Sequence, residues 1–167
     1  MFLGRARELC PSLIVLPYDF QGYEEVSEQV VNILHQYANL YNGVVEQVSC
    51  DEAYMELNVP MSDKEDTIET MKTIADSIRD DIVSTTDCTA TIGVGFNKFL
   101  AKLATNKVKP NGSHVGTDFR QLLMSLTLRD LPGIGRRWER KLSSEGLITV
   151  QDIWDLDERA EGELCRI

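Results

Sequence analysis

Apolar residues recur along the chain with spacings that predict alternating helices and strands. In residues 22–41 and 65–84 they return every three or four positions, the spacing of one helix face. Short apolar runs or alternating patterns predict strands at 12–17, 44–50, 52–58 and 89–95. Shorter helices are predicted at 4–10, 97–108 and 117–125. From Leu128 onward the pattern is helical with short loops, so we expect an α+β part to about residue 116, then a small all-helical part.

Two adjacent carboxylates, Asp51 and Glu52, lie where two predicted strands meet, in the stretch VEQVSCDEAYMEL (45–57). The apolar positions just before the pair, Val48 and Cys50, are even-numbered and those after it are odd-numbered, so the inward phase reverses. A turn or bulge there can aim both carboxylates the same way. Convergent carboxylates suit Mg²⁺, which takes oxygen ligands and bridges to substrate phosphates. The alternative is an ordinary hairpin turn whose acids are only solvated.

Charge is segregated along the chain. The net charge is −10, yet residues 93–145 hold 10 basic and 4 acidic residues. Residues 1–92 hold 5 basic and 17 acidic residues, and residues 146–167 hold 2 and 6. A basic block between two acidic ends is typical of a surface that binds phosphates.

The segment TIGVGFNKFLAKLATNKVKPNG (91–112) reads as a strand, a glycine-containing turn and a helix, and it contains no acid. Lys98, Lys102 and Lys109 are spaced to fall on nearly one side of a helix. Beside a carboxylate-bound Mg²⁺, these ammonium groups would neutralise a triphosphate and its leaving pyrophosphate. The alternative is a solvated lysine face, although such faces normally interleave acids with the lysines.

The segment LRDLPGIGRRWERKL (128–142) places Gly133 and Gly135 around Ile134 in a predicted turn between helices. The second helix opens with four cations, Arg136, Arg137, Arg140 and Lys141. Glycines let backbone N–H groups approach a phosphate, and a helix N-terminus attracts anions. The pattern resembles the helix-hairpin-helix motif, a clamp for the DNA backbone, with Trp138 departing from the small residue usual there. A glycine-capped αα-corner explains the glycines but not the cations.

Taken together, SCDEAYMEL, GVGFNKFLAKLATNKVKPNG and LPGIGRRWERKL resemble the palm and thumb of Y-family translesion DNA polymerases, over nearly the whole chain. The resemblance implies an α+β fold: a partial ferredoxin-like palm, with a mixed or antiparallel sheet and two long helices, before a small all-α thumb with a helix-hairpin-helix. Residues 1–20 would be a remnant of the fingers and their junction with the palm, 21–116 the catalytic palm, and 117–167 an incomplete thumb. LCPSLIVLPYDFQGYEEV and the Ser-Cys before Asp51 most resemble the Rev-one-type deoxycytidyl transferase.

The resemblance also implies roles for individual residues. Asp51 and Glu52 would be catalytic metal ligands in a site for two Mg²⁺ ions. Lys109 would contact the incoming triphosphate, and Lys102 would lie near the primer end or the phosphates. The residues implied to bind DNA are Lys98, Gly133, Ile134, Gly135, Arg136 and Arg137.

The implied reaction transfers dCMP from dCTP to a primer 3′-end at damaged or abasic template sites. The implied partners are primer-template DNA, dCTP and, through regions absent here, other translesion polymerases, with a nuclear location. The family's first catalytic carboxylate, most of the fingers, the steric gate, the segment that pairs with dCTP and the little finger have no counterpart in this sequence. The isolated chain is therefore expected to be inactive.

Other interpretations stay open on the residues alone. The chain could be another Y-family subtype, a non-catalytic DNA-binding module built on the glycine turn, or an interaction fragment that uses the acidic helices at 22–41 and 65–84. No apolar run of about 18 residues is present, so no membrane association is expected. The four cysteines lack CxxC spacing, which argues against zinc or a disulfide framework, and Cys50 is expected to be buried or half-buried.

Overall fold

The computed structural model describes residues 1–60 and 63–156, which form a mixed α+β fold. The helices are α1 (Leu3–Leu9), α2 (Phe20–Leu40), α3 (Lys64–Thr86), α4 (Lys98–Asn106), α5 (Phe119–Met124), α6 (Arg136–Ser144) and α7 (Val150–Trp154), with a short 3-10 helix at Leu128–Asp130. The strands are β1 (Val44–Gln47), β2 (Ala53–Glu56), β3 (Thr91–Val94) and β4 (Gly112–Val115). None of these helices is long and apolar enough to cross a membrane.

The two long helices, α2 and α3, form the main core, and both match the helices predicted from apolar spacing. Each begins at an aspartate that accepts a hydrogen bond from a first-turn amide: Asp19 from Gly22 N at 3.0 Å and Asp63 from Asp66 N at 2.9 Å. The core cluster consists of Ile33, Ile74, Ile78 and Ile82. Burial of each such side chain stabilises the fold by about 1.5–3 kcal/mol, so this cluster fixes α3 against α2.

The strands pair in two separate two-stranded sheets among the described residues. β1 and β2 are antiparallel, with Val45 opposite Met55, whereas β3 and β4 are parallel, with Gly93 opposite His114. A short turn connects the first pair and helix α4 connects the second, which accounts for the two directions. The single mixed or antiparallel sheet implied by the resemblance is therefore not what these residues form.

One strand prediction was wrong, and one strand was not predicted. Residues 12–17 pair with no other strand in the described part of the chain, and their apolar side chains lie in solvent, with Ile14 81% exposed. A strand is stabilised by its ladder, which an apolar run alone cannot supply. Strand β4 was missed, because GSHV begins with glycine and holds only one aliphatic residue, so it carries no strand pattern.

A second apolar cluster holds the C-terminal helices together. Leu128, Leu142 and Leu147 are buried and pack with Ile134 and Val150 among others. The N–H of Leu128 donates to Ile148 O at 2.8 Å, and the N–H of Val150 donates to Leu126 O at 3.1 Å. These residues form a helical region with its own core, as the pattern after Leu128 predicts.

Candidate nucleotide, metal and DNA site

The acidic pair lies in the turn that connects β1 to β2, as predicted. The amides of Val48 and Ser49 donate to Glu52 O at 2.9 and 3.1 Å and close the turn. The Ser49 hydroxyl donates to an Asp51 carboxylate oxygen at 2.7 Å. Both carboxylates are exposed, so the turn offers Asp51 and Glu52 to solvent.

The reason given for this turn was only partly right. Val48 and Cys50 are exposed within the turn itself, and β1 ends at Gln47. The apolar residue of β1 that faces inward is Val45, opposite Met55, so the inward phase is odd on both strands. The expectation that Cys50 is buried or half-buried was therefore wrong, because its backbone belongs to the turn rather than to a strand.

Gln47 ties the acidic turn to helix α2, a role that sequence patterns did not reveal. Its amide nitrogen donates to the buried Ser27 hydroxyl at 3.0 Å and to Ser49 O at 3.2 Å. A single polar side chain thus bridges the helical core and the turn. Ser27 is buried on the apolar face of α2. A serine among the apolar positions of that face was the sequence signal that a polar partner lies nearby.

Helix α4 stands close to strand β3 because Gly93 has no side chain. A Cβ at Gly93 would collide with Thr105 N and Ala101 O of the α4 backbone. The helix begins at Asn97, whose side chain accepts from Leu100 N at 2.9 Å. These two residues fix where the lysines of α4 lie.

The lysines of α4 pair with acids on the β1–β2 hairpin. The ammonium of Lys102 donates to the carboxylate of Glu52, and that of Lys98 donates to the carboxylate of Glu46. Lys98 Nζ also lies 5.6 Å from the centre of the Tyr54 ring. The helix contains no acid of its own, and the structure shows that the neighbouring hairpin supplies the acids instead.

Lys109 lies beyond the end of α4, because the helix stops at Asn106. The expectation that Lys98, Lys102 and Lys109 share one side of a single helix was wrong for Lys109. It is exposed in a turn that leads to β4, where Pro110 O accepts from the Thr91 hydroxyl at 2.7 Å. Lys109 is thus held by the ends of the β3–β4 sheet.

The glycine turn before α6 has the geometry of a tight connection between helices. Gly133 has φ +95°, a left-handed conformation that favours glycine. Ile134 O accepts from Arg129 Nη1 at 2.6 Å, which holds the turn against the 3-10 helix. Gly135 is the N-cap of α6 and brings no side chain to cap it, so the first amides of the helix have no side-chain cap. Arg136 and Arg137 are exposed beside them.

The sequence of residues 1–106 matches the family described as impB/mucB/samB. The match covers both the acidic turn and the lysine helix. The chain belongs to this family, the Y-family DNA polymerases.

Similar Y-family proteins come from plants, animals and bacteria. DNA repair protein REV1 of Arabidopsis thaliana is 36% identical over 151 residues, which cover 89% of this chain and 13% of that protein. DNA polymerase IV of Staphylococcus epidermidis is 37% identical over 166 residues, covering 95% of this chain and 43% of that protein. DNA polymerase IV of Shewanella sp. strain MR-4 is 41% identical over 155 residues, covering 92% of this chain. The chain thus spans less than half the length of the curated relatives it matches.

Solved structures of the family share this fold. The insertion ternary complex of Dbh DNA polymerase superposes with a TM-score of 0.81 and is 30% identical, covering 98% of this chain and 46% of that chain. The crystal structure of DinB from Sulfolobus solfataricus gives a TM-score of 0.79 at 29% identity, covering 96% of this chain and 46% of that one. The mixed α+β arrangement with its small sheets resembles a Y-family polymerase palm.

Y-family polymerases generally use divalent metal ions, so the acidic turn is the place to ask whether the residues of this chain suit one. Asp51 and Glu52 supply carboxylate oxygens, the donors that Mg²⁺ prefers. Across residues 1–60 and 63–156, no cluster of three or more His, Cys, Asp or Glu side chains could hold a metal ion. The chemistry of the two carboxylates suits Mg²⁺, but they supply fewer ligands than the six that an octahedral Mg²⁺ ion takes.

Proposed function

We propose that the chain contributes the palm and thumb of a template-directed DNA nucleotidyltransferase of translesion synthesis. The contact between Lys102 and Glu52 is the observation that carries the proposal. It joins the metal-binding turn to the lysine helix, so carboxylates and ammonium groups lie at one surface. A metal-bound triphosphate requires both kinds of group together.

The division into segments follows from the same proposal. Residues 1–20 would join the fingers to the palm, 21–116 would form the palm, and 117–167 would begin the thumb. The two separate apolar clusters, one around Ile78 and one around Leu142, support a boundary between palm and thumb. Residues 157–167 of the proposed thumb lie outside the described part of the chain.

In the proposed reaction, the palm binds a deoxynucleoside triphosphate against a primer 3′-end. Asp51 and Glu52 would hold Mg²⁺, which when bound supplies positive charge to the phosphate oxygens and lowers the pKa of the primer hydroxyl. Lys109 and Lys102 would bind the triphosphate and stabilise the negative charge on the departing pyrophosphate. The 3′-hydroxyl loses its proton to water, and its oxygen forms a bond to the α-phosphorus as the bond to the pyrophosphate oxygen breaks.

The glycine turn is the proposed contact with the DNA backbone. The turn of Gly133, Ile134 and Gly135 would bring the amides of Gly135 and of the first residues of α6 to phosphate oxygens, since the amide of Ile134 already donates to Leu131 O at 3.1 Å. Arg136 and Arg137 would add charge. Lys98, the first residue of α4, is also proposed to contact DNA, at the cost of its ion pair with Glu46. Such contacts read no bases, as a polymerase that moves along any template requires.

For the subtype, we propose transfer of dCMP from dCTP, on the resemblance of LCPSLIVLPYDFQGYEEV to the Rev-one type. REV1 of Arabidopsis thaliana and Rev1 of Drosophila melanogaster are both 36% identical to the chain. The DNA polymerase IV relatives are equally close at 37–41%, so a general Y-family polymerase is the second candidate. A nuclear location and contacts with other translesion polymerases belong to the first candidate alone.

Single-nucleotide primer extension tests the reaction. The assay offers each of the four dNTPs with Mg²⁺ opposite template G, using the chain and an Asp51→Ala variant. We expect the isolated chain to add little or no nucleotide. Template-directed addition that Asp51→Ala abolishes would overturn that expectation and support the reaction directly, and selective addition of dCMP would support the subtype.

Nucleotide binding tests the site without requiring turnover. We expect Glu52→Ala to abolish Mg²⁺-dependent binding of dCTP in an NMR titration, whereas Glu56→Ala, an exposed acid on the same hairpin, should leave it unchanged. An equal loss of dCTP binding in both variants, or unchanged dCTP binding in Glu52→Ala, would contradict the proposed metal site. DNA binding that persists without any nucleotide binding would favour the non-catalytic DNA-binding module.

A further inference from the structure

Arg79 of α3 links three parts of the palm through one guanidinium. Its Nε donates to Ala90 O, just before β3, at 3.0 Å. Its Nη2 donates to the side-chain oxygen of Asn111, just before β4. Its Nη1 pairs with Asp76 of the same helix at 3.4 Å, and its side chain is only 20% exposed. Arg79 is thus a mostly buried cation whose donors point at the ends of two strands.

The Asn111 contact matters because of what precedes it in the chain. Asn111 is two residues after Lys109, and Pro110 O between them accepts from the Thr91 hydroxyl at 2.7 Å. On the other side, the amides of Lys107 and Val108 donate to carbonyls of the last turn of α4. The backbone at Lys109 is therefore fixed at both ends, by α4 before it and by side chains of β3 and α3 after it.

Asp76 keeps the guanidinium oriented. Its carboxylate accepts from the Lys72 ammonium at 2.8 Å and from the Ser113 hydroxyl of β4, in addition to its contact with Arg79. The hydrogen bond from Lys72, followed by that from Ser113, holds the pKa of Asp76 below its ordinary value. The carboxylate is thus charged at neutral pH and available to Arg79.

We propose that Arg79 is a positioning residue for triphosphate binding: through Asn111 it holds the turn that presents Lys109 to the nucleotide. The inference rests on the proposed function of Lys109. Arg79 itself touches no nucleotide, because its donors are engaged by Ala90, Asn111 and Asp76. A planar guanidinium can reach these separate acceptors at once, whereas a lysine ammonium offers a single point.

A purely structural role is the competing explanation, since Arg79 also ties α3 to both strands. The two roles differ in what depends on Lys109. A residue that only stabilises the fold changes the free energy of unfolding whether or not Lys109 is present. A residue that acts through Lys109 has no effect on triphosphate affinity once Lys109 is removed.

The test is a double-mutant cycle with inorganic triphosphate and Mg²⁺ as the probe. NMR titration measures the triphosphate affinity of each variant at a temperature where every variant is folded. The variants are Arg79→Lys, Lys109→Met, their combination and Asn111→Ala. Lys72→Gln is the matched control, because Lys72 contacts the same Asp76 but no part of the turn. Thermal unfolding of each variant reports any loss of stability separately.

We expect Arg79→Lys and Asn111→Ala each to weaken triphosphate binding about threefold to tenfold, as misplacement of a binding group does. Lys72→Gln should leave affinity unchanged, and Arg79→Lys should cause no further loss in the Lys109→Met background. Two results would overturn the positioning role alone. In the first, Arg79→Lys weakens triphosphate binding as much in the Lys109→Met background as in the parent chain. In the second, Lys109→Met weakens binding but Arg79→Lys does not. If Lys109→Met has no effect, the proposed role of Lys109 fails and this inference fails with it.

Discussion

The ammonium of Lys102 on α4 contacts the carboxylate of Glu52 on the β1–β2 turn, across 50 residues of sequence. The Lys102 side chain is 28% exposed and that of Glu52 is 45% exposed, so the pair is open to solvent at one side. Without a ligand, each group partly neutralises the other. A cation that binds Glu52 would compete with the Lys102 ammonium for the same negative charge.

Replacement of Lys102 by methionine should strengthen metal binding and weaken triphosphate binding. The competing ammonium is removed from Glu52, and a partly exposed pair of this kind is worth at most about 1 kcal/mol, or roughly fivefold in affinity. Mn²⁺ titration followed by electron paramagnetic resonance would measure the metal affinity. Lys98→Met is the control, because Lys98 pairs with Glu46 rather than Glu52. Weaker Mn²⁺ binding in Lys102→Met would contradict the competition.

Removal of two arginines beside the glycine turn should weaken binding of duplex DNA. With Arg136→Ala and Arg137→Ala combined, the slope of log affinity against log salt should fall by about 2, since each phosphate contact contributes about 0.9. Fluorescence anisotropy across a salt series would measure it. Arg5→Ala with Arg7→Ala, on α1, removes the same charge elsewhere and should leave the slope unchanged. If the slope falls by the same amount in both double variants, general charge rather than the glycine turn binds the DNA.

A side chain at Gly93 should destabilise the palm. The Cβ of Gly93→Ala would collide with backbone atoms of Thr105 and Ala101, and neither can move without shifting α4. We expect a loss of at least about 2 kcal/mol in the free energy of unfolding, as overpacking of rigid neighbours produces. Urea denaturation would measure it. Gly4→Ala, where a Cβ meets nothing within 4 Å, should show no such loss.

Tyr37 should make stability depend on pH in the alkaline range. Burial, followed by the 2.6 Å hydrogen bond to Asp81, raises the pKa of the Tyr37 phenol from 10.0 to about 12. The native state then keeps a proton that the unfolded chain releases, so this contribution is full below pH 10 and is lost as pH rises through 12. Tyrosine absorbance at high pH should show one late ionisation that Tyr37→Phe removes. A variant with the same titration as the parent would disprove the assignment.

The long helices could be predicted from sequence because their stabilising contacts repeat with a fixed period. Ile74, Ile78 and Ile82 are spaced for one face, and that face is buried. The wrong strand prediction at residues 12–17 and the missed strand β4 have a common cause. Whether a short segment is a strand depends on a partner distant in sequence, and neither the isolated apolar run nor GSHV shows that partner.

The candidate site residues could be selected from the sequence, whereas their contacts could not. Asp51, Glu52 and Lys102 could be selected because carboxylates and lysines stand out in a pattern of apolar elements. The residues that support these segments are ordinary ones, and nothing in their spacing distinguishes them. Gln47 donates to Ser49 O in the acidic turn, and Arg79 donates to Asn111, two residues after Lys109. Arg79 was visible in sequence only as one cation within an acidic helix.

The pairing of α4 with the acidic hairpin also bears on the order of folding. The β1–β2 hairpin and the β3–α4–β4 crossover each close over short stretches of chain, whereas the ion pairs of Lys98 and Lys102 join residues 52 and 50 positions apart. Short loops close early and distant contacts late, because loop closure costs more entropy as the loop lengthens. We therefore expect the β1–β2 hairpin and the β3–α4–β4 crossover each to form before they contact one another. The contact between the hairpin and α4, where nucleotide is proposed to bind, would then form late in folding. Local opening at this contact would separate the carboxylates from the lysines while the hairpin and the crossover stay folded.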